Sequence, residues 1–175
     1  MDSAELGRLF SEFQDSAFRL EALDTYAVGV EAERFRMFIE GQPQPEGDRN
    51  RPWLTTVADA VAAGKVMERV HVVRGPALTD YLRFEFGWGY PLNEQAGERI
   101  LILDVSQSRR ADWPTEDFWL FDDRVVVRMV YDGQGRVQER IPVTDELSVR
   151  RYRAEKRELL AEAIPFQEFM QTLTG

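Results

Sequence analysis

Apolar residues fall at helical spacing in the opening segment, where Leu6, Leu9, Phe10 and Phe13 line one side of a helix over residues 4–13. Ser3 stands where its N-cap belongs. The period then changes: residues 17–23, Ala-Phe-Arg-Leu-Glu-Ala-Leu, alternate as a half-buried strand does. A second helix is predicted over residues 30–40, with Phe35, Phe38 and Ile39 on its buried face and Gly41 ending it. Residues 42–51 hold Pro43, Pro45 and Gly47 among polar neighbours and predict an exposed loop.

Pro52 suits the first turn of a third helix, since its missing N–H has no intrahelical partner there. Trp53, Val57, Ala60 and Val61 form that helix's apolar stripe, Gly64 stops it, and residues 66–73 follow as a strand. Residues 79–86 carry two periods at once. Asp80 to Phe86 alternate, yet Leu78, Leu82 and Phe86 repeat every four residues, which favours a helix over 79–96 broken near Gly87-Trp88-Gly89. Residues 99–104 are apolar on both faces and predict a strand covered on both sides. Three short strands follow, at 118–121, 125–131 and 136–141, joined by Asp122-Asp123 and by Asp132-Gly133-Gln134-Gly135. Helices over 145–163 and after Pro165 close the chain. The expectation is one α/β (α+β) domain over residues 1–175, a mixed sheet with a C-terminal antiparallel meander and flanking helices.

Composition narrows the function. With no cysteine there are no disulfides, thiolate metal sites or cysteine nucleophiles. The N-terminus is acidic without an apolar run, and no apolar stretch approaches the roughly 20 residues of a membrane span, so a cytoplasmic protein is expected. The net charge of −9 opposes direct nucleic-acid binding and suits either simple solubility or a basic partner.

The catalytic constellations fail in turn. One histidine, His71, shares a strand face with Met67, Arg69 and Val73, and a packed or surface role is favoured over a ligand or base. There is no Gly-x-Ser-x-Gly elbow and no phosphate-cradling glycine loop. Carboxylates offer the remaining route to a metal, through Asp104 at a strand end and Asp117, Asp122 and Asp123 about the meander, but structural turns are the favoured reading of these residues. No metal or cofactor is expected. Arg150, Arg153 and Arg157 share one face of the last long helix, with Glu155, Glu158 and Glu162 interleaved to pair with its cations. Trp88 and Tyr90, in the Gly-Trp-Gly-Tyr-Pro stretch, are the aromatic residues expected at an interface or pocket.

At these aromatic blocks the chain resembles an actinobacterial family of domains of unknown function. The resemblance rests on Asp80-Tyr81-Leu82-Arg83-Phe84-Glu85, Tyr90-Pro91-Leu92-Asn93, Ala96-Gly97-Glu98 and Asp117-Phe118-Trp119-Leu120-Phe121-Asp122-Asp123. Phe18-Arg19-Leu20-Glu21 and the arginine-rich closing helix extend it over nearly the whole chain. It implies a protein encoded beside Xre-type helix-turn-helix regulators, hence an accessory or sensor partner of such a regulator rather than an enzyme. A second likeness is to one half of a phospholipase D-like fold, without the His-x-Lys-x₄-Asp motif, since Val72 and Val73 follow His71. The rival expectation is a small-molecule-binding protein, or a Mg-dependent carboxylate enzyme, with a cleft near Tyr81, Arg83, Glu85, Asp104, Trp119 and Asp122.

Overall fold

The computed structural model of the chain describes residues 1–27 and 29–173. Strands β1 (Ser16–Glu21), β2 (Val66–Val73) and β3 (Arg99–Asp104) run parallel, linked by helical crossovers. The meander of β4 (Asp117–Phe121), β5 (Val125–Tyr131) and β6 (Val137–Val143) hangs antiparallel on β1, and the two-residue β7 (Ile164–Pro165) closes the far edge. The sheet order is therefore β6-β5-β4-β1-β2-β3-β7. This is the mixed α/β sheet with a C-terminal meander that the hydrophobic pattern predicts.

Helix α1 (Ser3–Glu12) precedes β1, and α2 (Ala32–Ile39) and α3 (Pro52–Ala62) fill the first crossover. The N-cap of α1 is Asp2, not Ser3: its carboxylate accepts from Glu5 N at 2.7 Å while Glu5 reaches back to Asp2 N, a reciprocal capping box. Within α2, Phe35 and Phe38 are half-buried against Phe84, but Ile39, expected inside, is turned to solvent.

The second crossover is helical from α4 (Asp80–Phe84) to α5 (Tyr90–Ala96). The break expected at Gly87-Trp88-Gly89 is instead a π-helical turn, Glu85–Gly89. Such turns are rare and cluster at functional sites. Here Gly89 has a steric task, since a Cβ there would collide with the Glu85 carboxylate. Helices α6 (Glu146–Glu162) and α7 (Phe166–Thr172) complete the chain. No helix among the described residues is long and apolar enough to cross a membrane.

One sheet face is apolar at its centre, with the Glu68–Arg99 ion pair at one end. Phe18, Leu20, Val70, Val72, Leu101, Leu103, Phe118 and Leu120 pack beneath Val149, Tyr152 and Leu159 of α6. The other face carries two separate apolar clusters. Ala17, Met67 and Phe121 meet Val57 and Ala60 of α3, while Val73, Ile100 and Ile102 meet Leu82, Phe86 and Tyr90 of the second crossover and Phe166 and Phe169 of α7. Because both faces are covered, residues 17–20 are buried consecutively rather than alternately, and the half-buried strand expected at 17–23 is a central one. The odd positions of β1 and β2 between the two clusters are polar, and they locate the site.

The hairpin tip between β5 and β6 braces the loop that follows β1. Gly135 has φ +74° and accepts from Ala27 N at 3.0 Å. A Cβ there would lie 2.8–2.9 Å from the backbone of Thr25, Tyr26 and Ala27. Gly135→Ala is expected to cost roughly 2–4 kcal/mol, combining left-handed backbone strain with overpacking. Gly133→Ala, with open space around it, should cost under about 1 kcal/mol. Urea denaturation of both variants checks this, and equal losses would remove the bracing role.

Candidate functional site

Four ionisable side chains from neighbouring strands share the polar strip: Arg19 and Glu21 of β1, and Arg69 and His71 of β2. The parallel register sets Arg19 beside Arg69 and Glu21 beside His71. Two adjacent arginines inside a sheet are tolerable only with carboxylates between them, because a buried unpaired charge costs several kcal/mol. Those carboxylates are present. Arg19 Nη2 lies 2.6 Å from Asp117 Oδ2 and donates to the Tyr131 hydroxyl at 2.8 Å. Arg69 spans Glu21 at 2.7 Å and Glu98 at 2.9 Å. Asp117 also accepts from Tyr26 OH at 2.7 Å and Ala22 N at 2.9 Å.

Burial would raise the Glu21 carboxyl, but Arg69, a hydrogen bond from His71 and Arg19 hold it well below the usual range. The Asp117 carboxyl ends above its usual value, since burial outweighs the pull of Arg19. His71 is fully buried with both nitrogens engaged, Nδ1 with Tyr90 OH at 2.5 Å and Nε2 with Leu23 O at 3.0 Å.

Above this strip opens a cleft of about 650 Å³. One wall is aromatic. Phe10 of α1 meets Trp53 of α3 and Trp119 of β4 edge-on, with ring centroids 5.2 and 4.8 Å away. Arg34, bidentate on Asp48 at 2.7 Å, and Arg51, 3.1 Å from Glu31, form the rim. Asn93, the opposite boundary, donates to Glu98 at 2.8 Å. Tyr81 and Glu85 line the remaining side from α4 and its π turn. Arg19 lies on the floor, its guanidinium 5.5 Å from the Trp119 ring and its Nη1 without a hydrogen-bond partner.

Glu85 differs from the other acids here. It is 8% exposed, and among the described residues its carboxyl group accepts no hydrogen bond and forms no ion pair. Burial first, then Glu31 and Glu21, push its carboxyl up to about 8 against the opposing pull of Arg69 and Arg51. It is chiefly a neutral acid at pH 7.

Of the residues expected to form a site, the structure brings Tyr81, Glu85 and Trp119 together in this cleft. The others lie elsewhere. Arg83 is on the outer side of α4, paired with Asp80. Trp88 and Tyr90, expected at a surface, are interior: Trp88 packs on Phe38 and Phe84, and Tyr90 donates to Glu21 at 2.9 Å. Continuing the helix through the glycines turns both rings inward, which an open loop would not do. Asp104 accepts from Ser106 N at 2.9 Å in a turn. Asp122 cradles the N–H groups of Gln14, Asp15 and Ser16 at 2.7–3.1 Å. These two acids stand at opposite ends of the sheet, Asp104 beside Val73 and Asp122 beside the start of β1, so the expected shared cleft does not form. Arg150, Arg153 and Arg157 belong to α6, on the other sheet face; Arg150 pairs with Glu146, Arg153 reaches the Asp123 carbonyl at 2.5 Å, and Arg157 is exposed.

Sequence reasoning missed Arg19, Glu21, Arg69, Trp53 and Asn93 as site residues. A signal existed: charged residues at the same parity in two central strands have no place in a core except as a paired network.

The chain belongs to the family described as domain of unknown function DUF6879, whose model matches residues 4–171. None of the curated proteins matches it. Among solved structures it is similar to NucT from Helicobacter pylori, with a TM-score of 0.51 and 8% identity over 93% of this chain and 91% of that one. At this identity the likeness shows a shared fold and concerns fold alone.

Proposed function

We propose that the chain is a non-catalytic sensor module: its cleft binds a small molecule, and it associates with and modulates a helix-turn-helix DNA-binding regulator. The cleft carries this proposal. A concave site of about 650 Å³ with an aromatic wall and a few convergent polar groups has the size and make-up of a small-molecule site. Its ionisable groups are arranged for binding rather than turnover. The arginines are held by carboxylates, His71 is sealed beneath Tyr90, and Val73 stands where a His-x-Lys pair would put lysine. Support for the regulator is of another kind, namely the family resemblance at Tyr81 to Glu85 and Phe118 to Asp123, and an acidic surface suited to a basic partner.

Thermal melting against a panel of metabolites tests the first half. A ligand at 100 times its Kd stabilises by about 2.7 kcal/mol, which for a chain of this size raises Tm by about 5–10 °C. Trp53→Ala should reduce that shift, since it removes one ring of the aromatic wall. No shift with any compound would end the sensor assignment. Mass spectrometry of proteins purified with the tagged chain from its own host tests the second half. Near-equal recovery of a helix-turn-helix protein supports it, and recovery of the chain alone overturns it.

A further inference from the structure

Four arginines in a cleft suggest an anionic ligand, but the ion pairs point the other way. Every one of those guanidinium groups already has a carboxylate within 3.1 Å. Nη1 of Arg19, which has no hydrogen-bond partner among the described residues, has less than 1 Å² of exposed surface and offers nothing to an incoming group. Of the carboxyl groups that line the cleft, Glu21 and Glu31 are paired with arginines, and Glu85 has no partner among the described residues.

From this we infer that the cleft receives an organic cation, an ammonium or amidinium head on a flat apolar body, with Glu85 as its counter-ion. The inference rests on the small-molecule reading above and names its ligand class. Three observations carry it. Glu85 is more than nine-tenths buried, lines the cleft and has no side-chain hydrogen bond among the described residues, in a π-helical turn whose Gly89 leaves room for its carboxylate. Keeping a carboxyl group desolvated and unpartnered costs stability, and such costs concentrate at functional sites. The cleft also presents the rings of Tyr81 and Trp53, and a cation over an aromatic face is stabilised, more so when desolvated. The local charge has the matching sign: around Glu85 the influence of Glu31 and Glu21 exceeds that of Arg69 and Arg51.

Charge balance then dictates the binding step. Glu85 holds a proton in the empty cleft, so a cation enters as that proton leaves to solvent, and the buried charge is unchanged. No covalent bond forms or breaks apart from the O–H bond of Glu85.

Isothermal titration with benzamidine, phenethylamine and agmatine, each in phosphate and in Tris buffer, tests this. Benzoate and phenyl phosphate serve as anionic probes with the same ring. At least one cation is expected to bind with release of about 0.9 proton at pH 7 and about 0.1 at pH 9, and benzamidine to tighten about tenfold between them if it is the binder. Glu85→Gln, a near-isostere of the neutral acid, should keep the fold and lose at least tenfold in affinity together with the proton release. Silence of all three cations, binding without proton release, or unchanged affinity in Glu85→Gln would each overturn the inference. Binding of the anions alone would overturn it while leaving the small-molecule reading intact, whereas failure of the wider melting panel would remove both.

Discussion

Arg19→Met is expected to destabilise the protein by about 3–5 kcal/mol at neutral pH, although methionine keeps most of the apolar stem. Arg19 is 3% exposed and Asp117 2%, so removing the guanidinium leaves a carboxylate desolvated with only Ala22 N and Tyr26 OH to hold it. The effect should grow with pH. In the parent protein burial raises the Asp117 carboxyl and Arg19 is the chief opposing influence. Without Arg19 its folded pKa rises further above the unfolded value of about 3.9. A folded state that retains a proton the unfolded chain releases loses stability as pH rises between those two pKa values. Denaturant melts at pH 5 and pH 8 should therefore show the larger loss at pH 8. In the double variant Arg19→Met with Asp117→Asn, the two costs should sum to more than the measured loss, by roughly 1–3 kcal/mol. A single-variant loss below about 1 kcal/mol with additive costs would mean that the pair is not a fixed element of the site.

That pair also shows where the sequence was legible. Strands β2, β3 and β5 lie at the predicted residues because their β-branched runs are bounded by glycine or charged turn formers. Helix α6 starts at a recognisable acid cap, Asp145. Burial at β1 was harder to anticipate. Phe18-Arg19-Leu20-Glu21 has the alternation of a strand with one wet face, yet the Asp117 carboxylate and Tyr131 hydroxyl that bind the Arg19 guanidinium come from β4 and β5, about a hundred positions away. Local pattern cannot distinguish an arginine facing water from one facing a distant aspartate.

The π turn evaded local reading for a related reason. Gly87 and Gly89 ordinarily signal a loop, but Gly89 serves a side chain four residues earlier, and Gly87 approaches Phe38 of α2. Trp88 and Tyr90 consequently face inward, which removes them from the surface and leaves Tyr81, Glu85 and Trp119 as the members of the expected set that meet. The α6 arginines, on the opposite layer, are separated from the cleft by the sheet itself. Any influence they exert on a partner would involve a different surface from the one that holds a ligand.

Glu85→Gln is expected to stabilise the protein while weakening its binding. The folded carboxyl sits at about 8, against an unfolded value of about 4.3. Below pH 4 both states are protonated and the parent and variant should differ little. Between about 4.3 and 8 the folded state keeps the Glu85 proton that the unfolded chain releases, so the parent loses stability relative to the variant with a slope near 1.4 kcal/mol per pH unit, levelling off above 8. The accumulated cost is on the order of 3–5 kcal/mol at pH 9, and glutamine, which cannot ionise, removes it. Urea melts of parent and variant at pH 4, 7 and 9 should diverge in that order. Parallel pH profiles would show that Glu85 ionises without penalty in the fold. Divergence combined with lost cation binding would identify Glu85 as a group kept at the expense of stability, since a purely structural residue at that position would be better served by glutamine.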